Sequence, residues 1–177
     1  MFPSLTLWLL PDAPAFDEIQ QLIAELSTEH RSPRFEPHIT LLSGILDDEQ
    51  AACQKAQALA ERTAPVNAAF RQVEYLEEYY RCLFFSTTHS SPLLDLRAEC
   101  EQLFEHTNIQ PFVPHVSFLY GSIPVFQKQA IAEDVARRHA QILLRPLRMP
   151  TLRLVRTQRT PEYWETVGEW NFTTTDK

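Results

Sequence analysis

Glycine is nearly missing from this chain: 177 residues include only Gly44, Gly121 and Gly168. No Gly-rich loop is therefore available to cradle phosphates with backbone amides, as nucleoside-triphosphate and dinucleotide sites do. A phosphate bound here must be held by side chains. Cysteine is equally scarce. Cys53, Cys82 and Cys100 are odd in number, widely spaced and form no C-x-x-C, which fits neither a zinc site nor a disulfide framework. Buried thiols are expected, with one disulfide allowed but not required. No H-x-x-x-H or carboxylate–histidine pattern marks a metal site, so neither metal nor other cofactor is expected. No run approaches the roughly 18 uninterrupted apolar residues of a membrane helix. The opening Met1-Phe2-Pro3-Ser4 lacks the basic start of a secretory signal, and Pro11 and Asp12 close its apolar run early. A soluble, cytoplasmic protein with no membrane partner is the expectation. Positive charge is also in deficit, with 16 Lys and Arg against 23 Asp and Glu, a net charge of −7. Such a surface does not attract a long polyanion, so no stable nucleic-acid partner is expected. Seven of the sixteen basic residues nevertheless lie between Arg137 and Arg159, which leaves room for a local anion-facing surface.

What is present suffices for a sizeable core: 44% of residues are hydrophobic and 11% aromatic. At this length a single domain over residues 1–177, as a monomer, is the default. Leu5–Leu10 reads as a strand ended by Pro11. Phe16, Ile19, Leu22, Ile23 and Leu26 recur at helical spacing, predicting a helix over 15–29. His38–Ser43 is a short apolar strand, and Asp47 can cap an Ala-rich helix running to about Arg62. Val66–Tyr75 and Tyr79–Thr88 read as a hairpin turning at 76–78. Ser91-Pro92 then starts a helix with Ser as cap, and Leu93, Leu96, Cys100, Leu103 and Phe104 form its inner stripe. Val113–Tyr120 is another short strand, 125–140 another helix, and strands near 152–158 and 163–172 close the chain. Each half thus reads helix, short strand, helix, strand, strand: an α+β duplicate with two lobes.

The duplication reaches individual residues at one place. Residues 37–44 read Pro-His-Ile-Thr-Leu-Leu-Ser-Gly and residues 114–121 read Pro-His-Val-Ser-Phe-Leu-Tyr-Gly. Two of the three glycines close these octapeptides. The tripeptide H-x-S/T alone is uninformative, since His30-Arg31-Ser32 and His89-Ser90-Ser91 also satisfy it. Those two sit in polar stretches, whereas His38 and His115 sit in apolar strands at matching places of the duplicate. Alternate strand residues share a face about 6.6 Å apart, so His38 projects with Thr40 and His115 with Ser117. If the lobes pair by a pseudo-two-fold axis, two imidazoles and two hydroxyls line one cleft. That set suits in-line hydrolysis of a phosphodiester, one neutral histidine taking a proton from water and one protonated histidine giving a proton to the leaving oxygen. The residues alone leave open which is base and which is acid, and a bell-shaped pH dependence around neutrality is expected. A single histidine in an apolar strand is ordinarily a hydrogen-bonded core residue. The matched pair with hydroxyls is what points to catalysis.

Paired H-x-S/T strands, this length and this order resemble the 2H phosphoesterases, nearest the cyclic phosphodiesterases of plant and fungal tRNA splicing. The resemblance covers nearly the whole chain. It implies one domain of two interleaved lobes, each an antiparallel sheet with helices packed outside, with the motif strands facing a central cleft. It implies metal-independent opening of nucleoside 2′,3′-cyclic phosphates to 2′-phosphates and of ADP-ribose 1″,2″-cyclic phosphate to ADP-ribose 1″-phosphate. His38 and His115 take the catalytic positions and Thr40 and Ser117 the phosphate-binding ones. Trp8, on the first strand, and Tyr120 fall near the substrate, where stacking on a base is expected. Tyr120 is five residues beyond His115, so it reaches the cleft only if the strand bulges or ends before Gly121. Phe84 and Phe85 read as core. Arg153, Arg156 and Arg159 read as a solvated strand and turn, one of which could meet a second phosphate. His106 and His139 receive no role. The partner expected is a small cyclic nucleotide. The same site could instead take 2′,5′-linked oligonucleotides or join RNA ends, as other 2H branches do, or belong to an idle nucleotide-binding module. The intact pair of histidines and hydroxyls argues against the last.

Overall fold

The computed structural model describes residues 4–173, so Met1–Pro3, read above as lacking a signal start, lie outside it. Among the described residues, eight strands form two four-stranded sheets in which every neighbouring pair is antiparallel. The first sheet takes β1 (Ser4–Leu10), β2 (Ile39–Ile45), β7 (Thr151–Thr157) and β8 (Glu165–Asn171), in the order β2-β1-β7-β8. The second takes β3 (Val66–Tyr75), β4 (Leu83–Thr87), β5 (His115–Leu119) and β6 (Pro146–Met149), in the order β5-β4-β3-β6. The halves of the sequence therefore exchange strands. The first motif strand, β2, shares a sheet with the last hairpin of the chain, while the second, β5, lies beside the hairpin of the first half. Each motif strand is a sheet edge.

Helices form where apolar residues recur with period 3.6. In α1 (Ala13–His30) the residues Ala15, Ile19, Leu22, Ile23 and Leu26 are buried, and Arg31 ends the helix in the left-handed conformation. This helix packs on β5; α2 (Glu49–Arg62) covers β7 and β8; α3 (Ser91–Leu103) lies on β2 and β3; α4 (Val125–Arg138) covers β3. A short α5 (Ala140–Leu143) follows a break at His139. Most buried apolar side chains of both lobes belong to one continuous core, and Trp8, Leu10 and Val155 form a second, small cluster.

Several local expectations are corrected. The cap of α2 is Asp48, which accepts from Ala51 N at 2.9 Å, while Asp47 pairs with Lys55. Ser90, not Ser91, precedes α3, and its hydroxyl donates to the Asn67 carbonyl rather than to the helix. The β3–β4 connection is longer than a tight turn. Residues 76–82 leave the ladder because their polar groups bond elsewhere: Leu76 O accepts from Lys128 Nζ, Tyr79 O from Gly121 N and Tyr80 O from Ser117 Oγ. The short, proline-led β6, which no sequence signal marked, pairs with Val66–Ala69.

The two octapeptides share a distortion. Along β1–β2, Leu7 faces Leu42 and Trp8 faces Thr40, so Leu41 is an extra residue. Along β4–β5, Leu83 faces Leu119 and Phe84 faces Ser117, so Phe118 is extra. Both bulges fall on the fifth octapeptide residue, and the closing glycines both have positive φ, 78° at Gly44 and 145° at Gly121. A Cβ on Gly44 would also sit 3.4 Å from His106 Nε2. Gly44→Ala is thus expected to cost about 1–2 kcal/mol of stability, read as a lower urea midpoint; an unchanged midpoint would contradict this account of the turn.

Candidate functional site

Counting the bulge, octapeptide positions two, four and seven share one face. His38, Thr40 and Ser43 from β2, and His115, Ser117 and Tyr120 from β5, line a single cavity of about 550 Å³ between the sheets. Ser4, Thr6 and Trp8 on β1 form part of the same wall, while Leu5, Leu7 and Leu9, pointing the other way, enter the core. All six site residues expected from sequence meet here. The bulge at Phe118 is what turns Tyr120 inward.

The imidazoles are held alike. His38 Nδ1 lies 2.7 Å from the Glu36 carbonyl and His115 Nδ1 lies 2.7 Å from the Val113 carbonyl, each two residues upstream. A carbonyl only accepts, so Nδ1 carries the hydrogen and Nε2 is left to exchange protons. Each ring also packs on an aromatic from the neighbouring strand. Trp8 stacks on His38 with centroids 3.7 Å apart and planes 9° apart. Phe84, which holds the corresponding place opposite Ser117, meets His115 edge-on at 5.0 Å. Such contacts contribute roughly 0.5–1.5 kcal/mol beyond burial. They restrict the two side-chain torsions of each imidazole.

Trp8 therefore lines the cavity in a different way than stacking on a base requires. It is only 4% exposed, and one ring face is already occupied by His38. Tyr120 is similarly placed, stacked on Phe35 at 3.7 Å. The accessible aromatics of the wall are Tyr80 and Trp164, neither of which the sequence singled out. They come from the loops after β3 and β7, and Tyr80 Oη donates to Arg159 O at 3.3 Å, so the loops meet at the rim.

Burial sets the charge state. It pushes His38 down to about 3, helped by the charges of His115 and Arg153 and opposed by the Glu36 carbonyl. Burial also lowers His115, with Arg81 adding to the shift and the Val113 carbonyl and Glu78 opposing it. Both imidazoles are thus neutral at pH 7 without ligand, a more acidic balance than the sequence suggested. The Tyr120 phenol is pushed up by burial and stays protonated. Arg153 and Arg156 are each tied to two carboxylates, Glu36 with Glu169 and Glu49 with Glu165. Of Arg153, Arg156 and Arg159 only the last, in the turn after β7, lines the cavity, and Arg81, unmarked by any motif, joins it.

Residues of α3 and of the segment after it anchor the first motif strand. Arg97 donates to the Leu41 carbonyl, at the bulge itself, and is paired with Glu101 at 2.5 Å. The Asn108 amide accepts from Ser43 N at 3.3 Å and donates to Ser43 O at 2.8 Å, and His106 Nε2 bonds the same oxygen at 2.9 Å. A side-chain amide stands where a neighbouring strand would, satisfying the edge of β2. Among the described residues, no three His, Cys, Asp or Glu side chains converge to hold a metal ion. All three cysteines are free thiols. No helix among the described residues is long and apolar enough to cross a membrane.

The profile of the family described as cyclic phosphodiesterase-like proteins matches residues 1–172. The chain belongs to this family. It is a member of the 2H phosphoesterases and a cyclic phosphodiesterase by family. A cyclic phosphodiesterase of Arabidopsis thaliana is 23% identical over 169 residues, covering 94% of this chain and 93% of that protein. The same fold occurs in TT0787 of Thermus thermophilus, with a TM-score of 0.62 at 17% identity over 96% of this chain and 97% of that one. E. coli LigT shares it too, with a TM-score of 0.59 at 16% identity over 98% of this chain and 100% of its own. The two antiparallel sheets with helices packed around them are the architecture these relatives share.

The stacking geometry predicts how Trp8 acts. With His38 as the reacting group, as proposed below, Trp8→Ala releases its ring, so kcat for a cyclic nucleotide is expected to fall by about 10-fold or more while KM changes little. A raised KM with unchanged kcat would instead make Trp8 a platform for the base.

Proposed function

We propose that this enzyme opens small cyclic phosphodiesters, nucleoside 2′,3′-cyclic phosphates and ADP-ribose 1″,2″-cyclic phosphate, by histidine acid/base catalysis without metal. The observation that carries the reading is the pair of imidazoles with Nδ1 tied to carbonyls and Nε2 left for proton exchange in one cavity. His38 is the base. Burial and two neighbouring positive groups keep it neutral, so it can accept a proton from water as the water oxygen attacks phosphorus. His115 is the acid: burial and Arg81 disfavour its charged form in the free enzyme, the Val113 carbonyl and Glu78 oppose that shift, and the substrate anion favours protonation on binding. It donates Nε2–H to the leaving 3′ oxygen as the P–O bond breaks, giving the 2′-phosphate. Thr40 and Ser117 donate hydrogen bonds to the non-bridging oxygens as charge develops there. The Ser117 hydroxyl, which in the free enzyme donates to Tyr80 O at 3.0 Å, rotates to do so. Tyr80 and Trp164 offer the base a surface. E. coli LigT, of the same fold, has been crystallised with 3′-AMP and with phosphate, which fits a nucleotide phosphate in such a cavity. A role in RNA processing or tRNA splicing is consistent with these substrates. The cavity suits a mononucleotide better than an oligonucleotide, in keeping with the acidic surface.

The deciding assay is turnover of 2′,3′-cyclic AMP in EDTA. His38→Ala and His115→Ala are each expected to lower kcat by about 10²–10⁴-fold, and the double variant far less than the product of the two, because the groups act as a unit. Either single variant within threefold of wild type, normally folded, would remove that histidine from the mechanism.

The pH dependence has a definite sign. In the free enzyme the base loses function as pH falls through its value, about 3 for His38. The acid loses function as pH rises through that of His115, which lies below 6.5. The kcat/KM profile therefore peaks at acidic pH and declines above 6.5, whereas the kcat profile is displaced upward because the bound anion favours both imidazolium forms. A kcat/KM still climbing through pH 8 would contradict the assignment.

A further inference from the structure

The carbonyl that holds each imidazole sits just before the octapeptide, on Glu36 for His38 and on Val113 for His115. In both places a proline follows, Pro37 and Pro114. Proline has no N–H, so no hydrogen bond from its own nitrogen fixes the plane of the peptide that carries the carbonyl. Residues 32–38 also lie outside helix and strand. Upstream, the segment is held at Phe35, whose carbonyl accepts from Gln20 Nε2 at 3.1 Å and whose ring stacks on Tyr120. At Glu36 the hold comes from its side chain, which accepts from Arg153 Nη1. Arg153 is in turn anchored on Glu169, Nε to Oε2 at 2.6 Å, and its side chain is only 12% exposed.

The described residues of the second lobe form no such clamp. Val113, the counterpart of Glu36, is apolar and exposed. Across the sheets the lobes correspond residue by residue. Thr40 faces Trp8 and Trp8 faces Arg153, while Ser117 faces Phe84 and Phe84 faces Glu74. A glutamate, bonded to Gln72 at 2.9 Å, thus takes the place of Arg153. An arginine that reaches the residue before the motif is a property of one lobe, the one that carries His38.

We propose that Arg153 is a positioning residue for His38: by clamping the Glu36 side chain it fixes the Glu36 carbonyl, and with it the ring orientation and tautomer that leave a bare Nε2 in the cavity. This rests on the phosphodiesterase reading above, in which His38 is the base, and adds a residue that sets the base without touching substrate. When the carbonyl is free to turn, Nδ1–H loses its acceptor. The Nε2–H tautomer, which cannot take a proton from water at that nitrogen, then becomes populated. The charge of Arg153 also reaches His38, and Glu36 separates the two effects: Glu36→Met opens the clamp and leaves that charge in place.

Turnover of 2′,3′-cyclic AMP and nitrogen-15 NMR of the histidine rings at pH 7 test this on wild type, Arg153→Met, Arg153→Lys, Glu36→Met, the double variant and Arg156→Met. Arg156, on the same strand and likewise bound to two carboxylates, controls for loss of an ion pair as such. Arg153→Met and Glu36→Met should each lower kcat by about 5- to 20-fold with KM within about twofold. The double variant should lie within about twofold of the lower single, because both ends belong to one clamp. In each single variant His38 should show a mixture of tautomers while His115 keeps Nδ1–H. Arg153→Lys should return to within about threefold of wild type, and Arg156→Met should stay within about twofold. The proposal is overturned if kcat survives in Arg153→Met, if it survives in Glu36→Met while Arg153→Met falls, or if the two losses multiply. An equal fall in Arg156→Met, or a fall with His38 still wholly Nδ1–H, overturns it too. Should Arg153→Met fail to fold, Glu36→Met, which alters a half-exposed side chain, carries the test. If the His38 tautomer responds as expected but wild type does not open the cyclic nucleotide, the chemistry fails and the clamp stands. If wild type opens it and neither kcat nor tautomer moves in the variants, only the clamp fails.

Discussion

Each motif strand has an unpaired extra residue at its fifth octapeptide position, Leu41 in β2 and Phe118 in β5, and the site depends on that surplus. Strict alternation would keep the histidine and the hydroxyl residue on the cleft face but turn the seventh octapeptide residue away and bring the sixth in. The bulge lets Leu41 and Leu42, like Phe118 and Leu119, enter the core together, while Ser43 and Tyr120 rejoin the cavity wall. The glycine that follows each strand, at positive φ, then turns the chain away. Because the sheets exchange strands between the halves of the sequence, the two bulged edges come face to face rather than lying at opposite ends of the molecule.

The same economy governs the chemistry. Each imidazole is tied at Nδ1 to a carbonyl two residues upstream and packed on the aromatic of the adjacent strand, Trp8 for His38 and Phe84 for His115. Orientation and tautomer are thus set by the local chain, with no carboxylate partner. A carboxylate would raise the imidazole pKa. Its place is taken by burial, which lowers both, and by an unequal surround: Arg153 acts on His38, Arg81 and Glu78 on His115. Two otherwise equivalent groups acquire different proton affinities, as the proposed base and acid would require.

Much of this was legible in the sequence, for reasons that identify what was not. The octapeptides could be read because the residues of a catalytic strand are contiguous, and the element order because apolar periodicity is local. The six expected residues meet in one cavity for that reason. The bulge could be inferred only as a condition on Tyr120, since pairing register is a property of two strands. The aromatic partner of His115 was hidden because Phe84 is followed by Phe85, and alternation does not say which of the two meets the motif. Arg81, Tyr80 and Trp164 lie in loops whose course is fixed by bonds to distant residues, such as Lys128 to Leu76 and Ser117 to Tyr80. His106 and Asn108 act on Ser43 across 63 and 65 residues of chain. Trp8 was visible as an aromatic of the first strand, but that His38 already covers its ring was not.

Two neutral imidazoles that share a tautomer underlie the proposed chemistry, and the ring nitrogens report this directly. Nitrogen-15 NMR of the histidine side chains in the free protein at pH 7 should show both His38 and His115 with the hydrogen on Nδ1 and a bare Nε2. Either residue found with the hydrogen on Nε2, or found as imidazolium at that pH, would contradict it.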